Sequence, residues 1–117
     1  VNLQYGDVAG EIKEFKEETG IEVLQCASVD NREDLDGLAA LIEACDLVVS
    51  ITNATVHMAG ALAKETWVML PHIANFWWLL ERTDSVWYPS LTLYRQPSLN
   101  DWDSVYTSIR KELQNFL

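Results

Sequence analysis

Residues 46–71, DLVVSITNATVHMAGALAKETWVMLP, constrain the fold of this chain more than any other segment. Two apolar runs, residues 47–51 and 66–70, are continuous and show no alternation of apolar and polar side chains. Such runs are typical of parallel strands that are covered on both faces. Between them, a polar turn at residues 52–53 leads into a predicted helix over residues 54–63. The segment therefore predicts a strand–turn–helix–strand unit of a parallel sheet.

The rest of the chain alternates predicted strands and helices in the same way. Further strands are predicted at residues 1–5, 21–25 and 91–95, and helices at residues 7–19, 34–45, 76–81 and from residue 100 onward. Strands that alternate with helices form a mostly parallel sheet with helices packed on its faces. We therefore expect an α/β fold with about five strands and helices on both faces of the sheet. The length of 117 residues predicts a single domain over residues 1–117.

The composition excludes several classes of partner. The chain has 18 Asp and Glu residues against 8 Lys and Arg residues, which gives a net charge of −10 at pH 7. Nucleic acids and anionic membranes are bound through basic surfaces, so we expect neither as a partner. No membrane span and no signal peptide are indicated. The two cysteines, Cys26 and Cys45, lack metal-ligand spacing and are expected to be reduced and buried, which favours a cytoplasmic location.

The carboxyl edge of the predicted sheet is the expected ligand site, because open parallel sheets bind ligands there. Thr52, Asn53, Ala54 and Thr55 follow the first buried strand and begin the next helix. At a helix start the first N–H groups have no partner, and the helix dipole favours an anion such as phosphate. The alternative is that Thr52 or Asn53 caps the helix and does nothing more.

Two histidines and an aromatic-rich loop lie near the same predicted edge. His57 falls one turn into the helix, and His72 follows the strand-end residue Pro71. Either imidazole could donate a hydrogen bond to a bound phosphate or hydroxyl, or could serve a structural role. The aromatic residues of segments 76–78 and 87–88 could line a sugar or nucleobase site, or could cap the core. No motif indicates a metal site, no cofactor is expected, and no catalytic residue is identified.

With these residues in view, the chain resembles the C-terminal domain of GT-B glycosyltransferases. The nearest resemblance is to the heptosyltransferase-like enzymes that are appended to tetratricopeptide repeats in bacteria. The strongest match is residues 46–71, and a second is residues 78–96, WLLERTDSVWYPSLTLYRQ. The resemblance implies a Rossmann-like sheet, the C-terminal half of a GT-B fold, and binding of a nucleotide-sugar donor. Carried over by position, residues 52–55 form the turn for the donor phosphates, and His57 is the helix histidine that follows it.

The chain departs from the family pattern at four positions. Thr52 stands where many members have Asp, and Trp77 replaces an Arg in the aromatic loop. Ala63 and Glu65 replace the Gly and Pro that flank Lys64. The family's N-terminal domain, which binds the acceptor, and its usually central first strand are also missing. We therefore expect a fragment of a longer protein that is inactive in isolation. Its open sheet edge is expected to be closed by strand 1–5 or by a second copy of the chain.

Two functions from different classes follow. The first is the donor-binding part of a glycosyltransferase, which moves a sugar from a nucleoside diphosphate to an acceptor that the sequence does not identify. The alternative is a non-catalytic, degenerate glycosyltransferase-like domain that acts as a protein-interaction or structural module, which suits the departures at Thr52 and Trp77. A flavodoxin-like module is a weaker third interpretation, because no acidic cluster follows the first predicted strand.

Overall fold

The computed structural model describes the whole chain, Val1–Leu117, which divides into two compact units. The first unit is Val1–Cys45 and the second is Asp46–Leu117. In chain order the elements are α1 (Ala9–Thr19), α2 (Leu35–Ala44), β1 (Val48–Ile51), α3 (Ala54–Ala61), β2 (Thr66–Leu70), a 3₁₀ helix (Phe76–Trp78), β3 (Leu91–Arg95) and α4 (Trp102–Phe116). None of the helices combines the length and the apolar character needed to cross a membrane.

The second unit contains the entire sheet. Its three strands are parallel and lie in the order β1-β2-β3, with Val48 opposite Thr66 and Thr66 opposite Leu91. Consecutive parallel strands that lie side by side form one half of a doubly wound α/β sheet. The predicted parallel α/β fold is confirmed and is compatible with a Rossmann-like sheet. The predicted number of about five strands is wrong, because the sheet has three.

The two missing strands were predicted at residues 1–5 and 21–25 of the first unit. These segments approach each other through a backbone hydrogen bond from Asn2 N to Leu24 O at 2.8 Å, but neither forms a strand. The Nδ2 group of Asn31 donates to the carbonyl oxygens of Asn2 and Gln4, at 3.3 and 3.0 Å. Alternate carbonyls that a neighbouring strand would bind are therefore held by a side chain. The predicted closing of the sheet by strand 1–5 is wrong, because the sheet contains only β1, β2 and β3.

Each helix of the first unit has a terminal residue of a type that commonly ends or begins a helix. α1 ends at Gly20, whose φ of 71° is the left-handed conformation that glycine adopts most easily. α2 begins after Asp34, whose side chain accepts a hydrogen bond from Gly37 N at 2.8 Å. α1 has no buried residue, and its Phe15 is 41% exposed. Caps and turns therefore order α1 more than burial of apolar side chains does.

The core of the second unit lies on one face of the sheet. Its buried side chains come from α3, β2, the 3₁₀ helix and β3, namely Val56, Val68, Leu70, Trp78, Leu91 and Leu93. On the opposite face, Trp67 of β2 contacts Tyr94 of β3 and Phe116 of α4, with ring centroids 5.7 and 5.8 Å apart. Because neighbouring residues of a strand point to opposite faces, α3 and α4 cover opposite sides of the sheet.

Two small residues near the end of α3, Gly60 and Ala63, have distinct structural roles. A side chain at Gly60 would overlap the ring of Tyr88, so the glycine permits contact with this loop residue rather than with the sheet. Ala63 lies three residues later with a φ of 53°. Lys64 N donates to Ala59 O and Ala63 N to Gly60 O, at 2.9 and 3.0 Å, which is the pattern of a Schellman motif. Ala63 thus occupies a left-handed position, which glycine adopts more easily than alanine.

We expect opposite effects from Gly60→Ala and Ala63→Gly. The first places a methyl group in the Tyr88 ring and should lower the free energy of unfolding by about 1–3 kcal/mol. The second relieves a left-handed alanine and should raise it by about 0.5–1 kcal/mol. Urea denaturation followed by tryptophan fluorescence measures both, because all five tryptophans lie in the second unit. An unchanged midpoint for Gly60→Ala would contradict the packing of Tyr88 against α3.

Candidate functional site

Polar side chains follow all three strands of the sheet at its carboxyl edge. Thr52 and Asn53 follow β1, His72 comes shortly after β2, and Gln96 comes directly after β3. Since parallel strands end at a common edge, the fold places these groups where open α/β sheets bind ligands.

Asn53 is the N-cap of α3. Its Oδ1 accepts a hydrogen bond from Val56 N at 3.2 Å, and its Nδ2 donates to Ser50 Oγ at 3.2 Å. The capping role that the sequence allowed is therefore present. One amide hydrogen of Asn53 and the N–H groups of Ala54 and Thr55 at the helix start stay available to a ligand. Thr55 itself is buried, with only 7% of its surface exposed.

Thr52 is bound to the aromatic loop. The indole Nε1 of Trp78 donates to Thr52 Oγ1 at 2.9 Å, and Trp78 is only 1% exposed. A hydroxyl can accept one bond and donate another, so Thr52 keeps its own hydrogen for a ligand oxygen. Sequence reasoning missed this pairing, because the two residues are 26 positions apart and nothing in the local pattern joins them.

His57 lies among three aromatic rings. It stacks on Trp78 with ring centroids 5.4 Å apart and an interplanar angle of 18°, and Trp77 and Tyr88 contact it at steeper angles. Its Nδ1 lies 3.2 Å from the Tyr88 hydroxyl. The ring is therefore held by stacking and by one hydrogen bond, and Nε2 has no partner in the chain. The structure brings Thr52, His57 and the loop together around Trp78.

His72 belongs to a different pair. Its backbone N–H donates to Gln96 Oε1 at 3.0 Å, and its Nδ1 lies 3.1 Å from the carbonyl oxygen of Gln96. A carbonyl can only accept, so Nδ1 is the donor in this hydrogen bond, and His72 is exposed. The Gln96 side chain is buried, and its Nε2 has no hydrogen-bond partner. No hydrogen bond or ring contact joins His72 to His57.

Arg95, at the end of β3, is a cation that sequence reasoning missed. Its Nη2 donates to the carbonyl oxygen of Leu79 at 2.6 Å, whereas Nε and Nη1 are buried and have no partner. It forms no ion pair with Asp or Glu. Arg82, in the loop, differs because two hydrogen bonds join it to Asp84 at 2.9 and 2.7 Å and lower the pKa of that carboxyl. The sequence signal that could have identified Arg95 is its position as a basic residue at the end of a predicted strand.

The loop between β2 and β3 has a buried part and an exposed part. Trp78 and Tyr88 pack on the core, as the capping interpretation of the aromatic residues predicts. Other apolar side chains of the loop point to solvent, with exposed fractions of 77% for Ile73, 83% for Phe76, 76% for Leu80 and 63% for Trp87. Leu79, between the two groups, has a φ of 53° that is uncommon for a residue with a side chain.

Comparison with known proteins gives one informative similarity. The chain is 36% identical over 116 residues to Protein FlbA of Caulobacter vibrioides, a match that includes 99% of this chain and 19% of that protein. The chain thus spans about a fifth of the length of this relative. No family model matches the chain, and no solved structure matches it. The name FlbA states neither an activity nor a ligand.

Replacement of the Thr52 hydroxyl tests its bond to Trp78. Thr52→Val keeps the shape but leaves the buried indole N–H without an acceptor, which should lower the free energy of unfolding by about 1–3 kcal/mol. Thr52→Ser keeps the acceptor and is the matched control, with an expected loss of less than about 1 kcal/mol. Urea titration followed by tryptophan fluorescence compares the two. Equal stabilities for the two variants would show that the hydrogen bond does not hold the loop.

Proposed function

We propose that this chain is the donor-binding part of a glycosyltransferase, which moves a sugar from a nucleoside diphosphate to an acceptor. The observation that carries the proposal is the unit of β1, residues 52–53 and α3. It places free N–H groups and the Thr52 hydroxyl at the carboxyl edge of a parallel sheet. Such groups match the oxygens of a diphosphate, which is the leaving group of this reaction.

The donor phosphates would be bound by the start of α3. The N–H groups of Ala54 and Thr55, the second amide hydrogen of Asn53 and the Thr52 hydroxyl supply the hydrogen bonds. The helix dipole adds only about 0.3–1 kcal/mol at an exposed position. Hydrogen bonds to a charged phosphate contribute about 1.5–3 kcal/mol each, so they would supply most of the binding free energy.

His57 and His72 would contact other parts of the donor. The Nε2 atom of His57, one turn into α3, can bind a phosphate oxygen or a hydroxyl, since Nδ1 is used by Tyr88. His72 is exposed and presents Nε2 as an acceptor for a hydroxyl of the donor. Neither residue is proposed to be catalytic, because the acceptor side of the reaction would lie in other parts of the protein.

The affinity of the isolated chain for a donor should be low. Its net charge of −10 repels a diphosphate, and the two arginines nearest in sequence to the site are engaged by Asp84 and by Leu79. We therefore propose millimolar binding and no turnover for the 117-residue chain. Cys26 and Cys45 do not form a disulfide, and both are more exposed than the sequence predicted.

A second candidate function rests on the exposed part of the loop between β2 and β3. Four large apolar side chains, Ile73, Phe76, Leu80 and Trp87, are each more than half exposed on this short segment. Grouped apolar residues of this kind commonly mark a surface that contacts another protein. This favours a non-catalytic interaction or structural module if donor binding fails.

NMR titration with UDP, ADP and GDP distinguishes the two functions. Donor binding should shift the amide signals of residues 52–58 and 71–75, with midpoints in the millimolar range. Asn53→Asp keeps the cap of α3 but adds a negative charge, so it should weaken binding at least fivefold. Asn53→Ser, which also caps the helix without added charge, is the matched control. Shifts elsewhere, or none at high millimolar nucleotide, would refute donor binding and favour the interaction module.

A further inference from the structure

The hydroxyl of Tyr88 lies 3.2 Å from Nδ1 of His57, and this pair joins the loop between β2 and β3 to α3. A phenol hydroxyl can donate or accept a hydrogen bond, and so can a neutral imidazole nitrogen. The roles within the pair decide which ring nitrogen of His57 carries the proton. Since Nε2 is the nitrogen left for a ligand, the opposite side of the ring sets whether His57 offers that ligand a donor or an acceptor.

Tyr88 is held in place by contacts other than its bond to His57. Its backbone N–H donates to Ser85 Oγ at 3.3 Å, and its carbonyl oxygen accepts from the N–H of Leu91, the first residue of β3, at 3.1 Å. Its ring packs against Gly60 of α3 so closely that a Cβ at this position would overlap it. Because both the backbone and the ring are held, the hydroxyl keeps a fixed position relative to α3.

The imidazole of His57 is also fixed. It stacks on Trp78, which is part of the core and only 1% exposed, and the edge of Trp77 contacts it with ring centroids 6.2 Å apart. A flip of the ring within this stack would exchange Nδ1 for the Cδ2 carbon and lose the hydrogen bond to Tyr88. Nδ1 therefore faces the hydroxyl in the stable orientation of the ring.

The chemistry of the two groups favours Tyr88 as the donor. A phenol oxygen shares its lone pairs with the aromatic ring and accepts weakly, whereas the unprotonated nitrogen of a neutral imidazole is a strong acceptor. We propose that Tyr88 donates to Nδ1 of His57 and thereby holds the proton of the neutral imidazole on Nε2. Tyr88 is then a positioning residue, because it makes His57 a hydrogen-bond donor at the candidate site without contacting a ligand itself.

A donor at Nε2 suits an oxyanion. His57 follows the N-cap Asn53 by four residues, which places both side chains on one face of α3. Helical Cα–Cβ bonds tilt toward the helix N-terminus, so the His57 side chain leans toward the free N–H groups of Ala54 and Thr55. An ionised phosphate oxygen only accepts hydrogen bonds, and a lone pair on Nε2 would repel it. The phosphate contact rests on the proposed donor binding, whereas the position of the proton does not.

The ¹⁵N shifts of the imidazole rings, read from a long-range ¹H–¹⁵N correlation spectrum, report the proton directly. Above about pH 8, where neutral imidazole ordinarily predominates, protonated and unprotonated ring nitrogens are well separated. We expect Nε2 to be protonated in His57 and Nδ1 in His72, the other histidine of the chain, whose Nδ1 donates to a backbone carbonyl. Tyr88→Phe should move the two ¹⁵N shifts of His57 toward each other, because the two tautomers then mix. Tyr106→Phe, which removes an exposed hydroxyl from α4, is the matched control and should leave both rings unchanged.

Titration with UDP, ADP and GDP and with the corresponding nucleosides separates the role of Tyr88 from donor binding. A diphosphate should shift Nε2 of His57 and a nucleoside should not, and Tyr88→Phe should weaken diphosphate binding at least threefold while Tyr106→Phe leaves it unchanged. If no diphosphate binds the unaltered chain, donor binding is refuted, and the ring shifts still decide the role of Tyr88. A proton on Nδ1 of His57 in the unaltered chain would overturn the proposal without any variant. So would unchanged His57 shifts in a folded Tyr88→Phe variant, even if that variant bound diphosphate more weakly.

Discussion

The buried indole of Trp78 is the contact on which the second unit depends. Its ring is packed in the core, its N–H group is bound to Thr52 at the end of β1, and its face is stacked on His57 of α3. One side chain thus fixes a strand end, a helix and a loop relative to one another. Without the Thr52 hydroxyl, a buried donor would lack a partner, and the loop would lose one of its connections to the sheet edge. The geometry of the candidate site is therefore a consequence of how this tryptophan is buried.

Charge is distributed unevenly around that core. The chain is strongly acidic, yet the guanidinium of Arg95 lies partly buried beside the loop without a carboxylate partner. It binds instead the carbonyl oxygen of Leu79, whose left-handed backbone turns that carbonyl toward it. Carbonyl dipoles at the end of a short helix are a partial substitute for a carboxylate. The carbonyl that binds the guanidinium of Arg95 therefore belongs to the residue with the uncommon backbone conformation.

The sequence predicted the second unit well because its signals are local. The continuous apolar runs of β1 and β2 and the cap at Asn53 needed no distant partner to be recognised. The prediction of strands at residues 1–5 and 21–25 was wrong. A strand needs a ladder of backbone hydrogen bonds, whereas the one bond from Asn2 N to Leu24 O joins these segments, and the Asn31 side chain binds the carbonyls of Asn2 and Gln4. For the candidate site, the sequence correctly placed Thr52, Asn53 and His57 between the end of β1 and the first turn of α3. It could not show the contacts of Trp78 and Tyr88 or the burial of Arg95, which arise only when the loop packs over α3.

The edge strand β1 has a consequence for how copies of this chain behave in concentrated solution. It pairs with β2 on one side only, and its apolar residues Val49 and Ile51 are 42% and 53% exposed. An unpaired edge of this composition is a template for contact with a neighbouring chain. The net charge of −10 holds identical molecules apart at low ionic strength, and added salt shortens the range of that repulsion. Colloidal stability of this domain therefore rests on long-range repulsion rather than on a blocked strand edge.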